Sequence, residues 1–177
     1  SFMHRWMDPR WRPELQSAIT WLVEAMRRPF ADIAIALAQN ALELLGWVIL
    51  VEERRLLSRS QYKKRDQTAE KNLRQLLGWA GIPPAIPDEL TNLIPYAASA
   101  GWQTGPEAVA AFRNMLVHPR DRTRQIFEMP LLAKVELKNL AFWYVELLLL
   151  RFIGYRSDYV NRHRAEWVGQ VEPVPWK

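Results

Sequence analysis

Cysteine is absent from these 177 residues. Its absence excludes disulfide staples, thiolate metal sites and a thiol nucleophile, and it suits a reducing, cytoplasmic setting. Glycine is scarce, at seven, and no glycine loop of the phosphate-cradling kind is present. Gly78 and Gly81 lie three apart, as a helix cap would place them. His4, His118 and His163 are scattered, with no metal-ligand spacing, so neither a metal nor a cofactor is expected. No GxSxG elbow offers a serine nucleophile. Long uncharged runs are missing as well. Glu43 breaks the apolar stretch 33–51, and Glu146 and Arg151 break the stretch 140–153. Neither supplies the ~20 uncharged residues that span a bilayer, so no membrane partner is expected. The first residues hold Arg5, Asp8 and Arg10 without an apolar run, which reads against a signal peptide.

What is present is apolar, aromatic and basic. Hydrophobic residues make up 49% and tryptophan occurs nine times, so the chain can bury the core of one domain. The formal charge is +5, and the excess is clustered. Arg54, Arg55, Arg59, Lys63, Lys64 and Arg65 form one group, Arg120, Arg122 and Arg124 a second, and Arg151, Arg156, Arg162 and Arg164 a third. Arginine forks suit phosphate because each donates two bonds at once, although a solvated basic surface has the same composition.

The pattern along the chain is all-α. Pro13 opens a first helix that Pro29 closes. A long helix runs from Phe30 to about Leu57, apolar nearly all round, as suits the centre of a bundle. Residues 58–62 break the pattern, and residues 66–81 form an amphipathic third helix. Residues 82–105, with Pro83, Pro84, Pro87 and Pro95, are a long connection with room for one short helix near 88–93. "GPEAVAAFRNMLVH" is the next helix, and the last long one runs from Pro130 to about Phe152, ending at Gly154. The tail is irregular, aromatic and expected to pack over the bundle, and no β alternation persists. Residues 13–177 therefore read as one helical domain, and residues 1–12 as a tag remnant ("SFM") and an N-terminal arm.

The stretch "AFRNMLVHPR", residues 111–120, carries the chemistry. Pro119 disfavours helical backbone at His118, so the helix should end there. His118 then lies at the negative end of the helix dipole, which favours imidazolium and keeps it near physiological titration. Asn114, four residues earlier, shares its face. Arg113 lies roughly 140° round the axis but has the reach to join them. Guanidinium, amide and imidazole at one helix end suit a phosphodiester: arginine holds the phosphate, asparagine orients an oxygen, histidine moves the proton. Arg156 precedes His163 with six residues between them, a second arginine-to-histidine match that lacks the apolar filling and reads as chance.

"RNMLVHP" resembles the RNxxxH signature of HEPN domains, the all-α modules of bacterial toxins, CRISPR-associated and anti-phage ribonucleases. "ALELLGWVILVEERR" is similar to their long central helix, and the stretch from "LLLLRFIGYRSDYVNR" to "VEPVPW" is similar to their C-terminal end. The resemblance covers roughly residues 30–177. It implies a HEPN-like helical bundle that cleaves RNA without a metal, the 2′-hydroxyl attacking the adjacent phosphate, in a cleft shared by a homodimer. Arg113, Asn114 and His118 become the catalytic set. Toxins of this type inactivated by tyrosine adenylylation carry a tyrosine two residues after the histidine; Arg120 stands there, which argues against that control.

Glu43 lies on a polar strip with Gln39 and Asn40; either it partners Arg113 or it faces solvent at a gap in the bundle. Arg120, Arg122 and Arg124 are expected to contact the RNA backbone. Trp102 can stack on a base or pack its loop, and Trp47 and Trp143 are expected in the core. The tag-like start fits a C-terminal domain cut from a larger defence or toxin protein with a sensor domain elsewhere. Two other readings remain open: a catalytically silent HEPN module for RNA binding or assembly, and a plain helical dimerisation domain.

Overall fold

The computed structural model describes residues 2–117, 128–164 and 167–177. Helices α1 (Phe2–Met7), α2 (Arg12–Arg27) and α3 (Ala31–Gly46) lead into a π-helical segment (Trp47–Glu53). Then follow α4 (Arg59–Tyr62), α5 (Ala69–Ala80), α6 (Leu93–Ala100), α7 (Gly105–Val117) and α8 (Leu131–Phe152). Two-residue strands β1 (Asp158–Tyr159) and β2 (Glu172–Pro173) pair antiparallel, Tyr159 opposite Glu172. The fold is all-α, with this ladder the small exception among the described residues.

Helix α3 is the hub. It packs against α2, α5, α7 and α8, and that company explains why apolar residues cover it nearly all round. Ala34, Ala38 and Ala41 let neighbouring helices approach closely, and Ile35, Leu42 and Leu45 fill the spaces between them. Together, Ala31–Glu53 have the length and composition to cross a membrane, but they lie largely buried in the bundle. Helix α8 is the second long core element, with Leu137, Leu140, Tyr144, Val145, Leu147 and Leu148 inaccessible to solvent.

Several boundaries differ from the sequence expectation. The second helix is not continuous α: from Trp47 it widens into π turns, and Arg54 donates its N–H to the Ile49 carbonyl five residues back (2.9 Å). Val48, Ile49, Leu50 and Val51 are all buried there. Arg55 then reverses the chain at φ = 52°. Ser58 caps α4 by a reciprocal box with Gln61, its hydroxyl accepting the Gln61 N–H (3.1 Å). The short helix of the long connection begins at Leu93 instead of Asp88. The Glu136 carboxylate of α8 fixes that start, accepting the N–H groups of Asn92 (3.0 Å) and Leu93 (2.7 Å). Pro95 falls in the first turn, where its missing N–H does no harm.

The N-terminal arm is also ordered. Helix α1 is tied down by Arg5, which pairs with Glu53 (2.6 Å) and lies over the Phe152 ring (4.7 Å). At the other end the tail packs over α8. Trp143 donates to the Tyr159 hydroxyl (3.0 Å), which donates in turn to Glu172 (2.8 Å). Trp176 donates to the Tyr155 carbonyl (2.7 Å).

Candidate functional site

Phe112, Val109 and Ala108 are buried and anchor α7 against the core. That register leaves the two residues after Phe112 facing outward: Arg113 is half-buried and Asn114 exposed, in the last turn of the helix. Arg113 Nη1 donates to Asn114 Oδ1 (3.4 Å), and Nη2 lies 3.9 Å from Glu43 Oε1 on α3. Of the two alternatives for Glu43, the structure shows elements of both. Its side chain is 40% exposed, and it also faces the guanidinium. His118, Arg120, Arg122 and Arg124 lie outside the described residues.

Beneath Arg113 runs a polar seam between α3, α4 and α5. Gln39, at 1% exposure, donates from Nε2 to Glu43 Oε1 (3.3 Å), while its own Oε1 is buried without a partner among the described residues. Tyr62 donates its hydroxyl to the Glu43 carbonyl (3.2 Å). Burial, and secondarily the Glu43 charge, push that phenol up to about 12, so it remains a donor at any physiological pH. Asn72 is buried on α5 and accepts from Gln67 Nε2 (2.8 Å). A small cavity between these helices is lined by Gln39, Glu43, Gly46, Tyr62 and Asn72.

Sequence reasoning offers Arg113 as one of two alternatives for Glu43 and misses Tyr62 and Asn72. Tyr62 stands in a stretch that reads as a break, and Asn72 inside an amphipathic helix. Neither position carries a chemical pattern, and only tertiary packing joins them to the seam.

The second arginine–histidine pair is built differently. His163 packs edge-on against Trp143 (5.3 Å, 72°), and its Nε2 is buried without a partner among the described residues. Burial pushes it down to about 4, leaving it neutral at pH 7. Arg156 is exposed. Trp102 sets its ring edge-on to Tyr96 (5.5 Å), which is loop packing. Trp143 is core at 7% exposure. Trp47 is only half-buried, a departure from expectation, because it sits at the bundle edge under Tyr62 (5.3 Å) and Lys63 (5.5 Å). Among the described residues no group of three or more His, Asp or Glu is placed to hold a metal.

The fold and seam thus define an all-α bundle with a half-exposed, acid-tethered arginine at the end of a core helix. The chain belongs to the YopA C-terminal domain family, whose model matches residues 8–172. It is 33% identical over 173 residues to the SPbeta prophage-derived uncharacterized protein YopA of Bacillus subtilis (strain 168). The match covers 96% of this chain but 37% of that protein's length. No solved structure matches.

Proposed function

We propose that this domain is a metal-independent endoribonuclease of the HEPN type, its active site completed across a homodimer in the cytoplasm. One observation carries the reading: Arg113 and Asn114 present a guanidinium and an amide side by side at the outer end of α7, on the chain that continues directly into His118 and Pro119. Arg113 grips the phosphate and Asn114 orients the attacking oxygen. One imidazole takes the 2′-hydroxyl proton as O2′ bonds to phosphorus. A second, from the other subunit, protonates the departing 5′-oxygen as its bond to phosphorus breaks. The products are a 2′,3′-cyclic phosphate and a free 5′-hydroxyl. Arg120, Arg122 and Arg124 hold the flanking backbone. The prophage origin of the Bacillus relative fits a role in conflict between phage and host, as a toxin or an anti-phage effector. In a protein of that relative's length, the remaining part would supply the sensor.

The test is cleavage of RNA in EDTA by wild type, Arg113→Ala and His118→Ala. Both variants are expected to lose about 100-fold or more, in line with removal of a general acid–base or a charge-stabilising donor. Equal cleavage by all three sinks the assignment. The Glu43–Arg113 contact favours a second reading, a silent RNA-binding or dimerisation module, because a carboxylate beside the phosphate grip competes with phosphate. That reading predicts RNA binding without cyclic-phosphate ends.

A further inference from the structure

Most arginines in the described chain answer to an acid: Arg5 to Glu53, Arg10 to Asp8, Arg27 and Arg28 to Glu24, Arg74 to Glu70, Arg113 to Glu43, Arg162 to Glu146, Arg164 to Glu89. Arg54 and Arg151 lie instead over the Trp79 ring. The basic run after the π-helical segment departs from this rule. Arg55, Arg59, Lys64 and Arg65 are exposed and have neither an acidic nor an aromatic partner among the described residues.

Two of these cations share a concave surface. Arg55 and Arg59 line a polar cleft of about 730 Å³ with Arg10, Glu52, Ser58 and Gln61, floored by Trp11, Val51 and Leu57. Arg55 holds φ = 52°, an unfavourable conformation for a side chain of its size, and observed strain of this kind concentrates where a chain presents groups to a ligand. The conformation turns the chain back so that α4 lies beside the π-helical segment. Two unpaired guanidiniums in one polar cleft suit an anion with several oxygens, since each fork takes two of them.

The cleft is also connected to the candidate site. Arg59 and Tyr62 are three residues apart on α4, and Tyr62 is the residue whose hydroxyl meets the Glu43 carbonyl. From Glu43 to Val51 at the cleft floor is eight residues of helix, at most about 12 Å at the α rise of 1.5 Å per residue and less where the π turns from Trp47 shorten it. We infer that the Arg55–Arg59 cleft binds the phosphodiester backbone of a single-stranded RNA whose neighbouring segment reaches Arg113 on α7. The phosphate chemistry follows from the cleft itself; the choice of RNA rests on the nuclease reading.

The experiment uses the full chain and a fluorescein-labelled single-stranded RNA with 2′-O-methyl sugars, which removes the nucleophile and separates binding from cleavage. Anisotropy titrations over a range of KCl compare wild type with Arg55→Gly/Arg59→Ala and with a control, Arg27→Ala/Arg28→Ala. Glycine is chosen at 55 because it accepts the positive φ, and melting by circular dichroism confirms that each variant folds. The cleft variant is expected to bind about tenfold more weakly, its salt slope shallower by about 1.4 for two lost phosphate contacts, while the control is unchanged. Equal affinity and slope in wild type and cleft variant overturn the inference, as does an equal loss in the control. Sodium tripolyphosphate competing only at millimolar concentration supports an RNA strand. Displacement at micromolar concentration assigns the cleft to a compact polyphosphate and overturns the strand. The two readings fail separately. Binding that depends on Arg55 and Arg59, with no cleavage of unmodified RNA, keeps the cleft and removes the nuclease. Cleavage with binding indifferent to these arginines does the reverse.

Discussion

The Tyr62 hydroxyl sits 3.2 Å from the Glu43 carbonyl it donates to, and only 2.9 Å from where a Cβ on Gly46 would stand. A single hydroxyl therefore occupies the space above the last turn of α3, just before the helix widens. That contact joins α4 to the element carrying Glu43.

Gly46→Ala should accordingly destabilise the domain, because its methyl must displace Tyr62 and with it α4. The expected loss is about 1–3 kcal/mol, the range for overpacking a filled site. Tyr62→Phe removes one part-buried hydrogen bond and should cost about 0.5–1.5 kcal/mol. Placing alanine at 46 in the phenylalanine background should cost less than the sum, since the obstructing oxygen is gone. Urea denaturation of the four proteins measures this coupling; strict additivity would show that the close approach is unimportant.

A second close approach lies at the start of the motif helix. A Cβ on Gly105 would stand 2.0 Å from the Tyr144 hydroxyl and 3.2 Å from a Leu140 methyl. Both neighbours are fully buried, and the hydroxyl has no partner among the described residues. Gly105→Ala should destabilise by about 3 kcal/mol, at the upper end for overpacking. Tyr144→Phe should be neutral or stabilising by up to about 1–2 kcal/mol, since it removes an unsatisfied buried polar group. A marked loss of stability in Tyr144→Phe would mean that the hydroxyl has a partner after all.

These contacts also mark what sequence could and could not disclose. The two long core helices are legible because continuous Ala and Leu runs of that length have few other uses, and their ends fall at Pro29, Pro130 and Gly154. The contact of Glu43 with Arg113 is legible only as one of two alternatives, since a carboxylate on a core helix either finds a cation or faces solvent, and Glu43 does some of each. The π-helical segment is not, because a widened turn keeps the apolar composition of the helix around it. Helix α6 starts five residues late because Glu136, more than forty positions away, caps it, and local turn signals contain no trace of that. The β1–β2 ladder is too short to produce alternation. Arg55 looked like one of many basic residues, and only its backbone conformation distinguishes it.

The tail should be acid-sensitive through His163. Its folded pKa, about 4, lies below the ordinary value near 6.5, chiefly because burial disfavours the charged ring. Glu89 and Glu136 oppose the shift and Arg162 and Arg164 assist it. The unfolded chain thus binds the proton more readily, so stability rises with pH between about 4 and 6.5 and is progressively lost on acidification through that window. Allowing for solvent screening of a ring that is not fully enclosed, the contribution is about 2 kcal/mol. His163→Gln should be less steeply dependent on pH than wild type across that window, in urea denaturation series from pH 7.5 to 4. Identical slopes would place His163 outside the acid response.

Glu43 offers the most discriminating substitution at the candidate site. Its carboxylate lies 3.9 Å from the Arg113 guanidinium in a half-exposed setting, where an ion pair contributes about 0.2–1 kcal/mol. Glu43→Gln keeps an acceptor for Gln39 but removes the charge that competes with phosphate. The freed guanidinium should bind RNA more tightly, by the factor of about 1.4 to 5 that this energy corresponds to, with the larger gain at low salt. The same change loosens the tether that orients Arg113, so kcat should fall by a similar factor while KM also falls. A purely structural role for Glu43 would lower stability and leave RNA affinity where it was. Weaker RNA binding in Glu43→Gln would mean that the carboxylate assists the phosphate grip instead of restraining it, and the arrangement proposed for Arg113 would have to be abandoned.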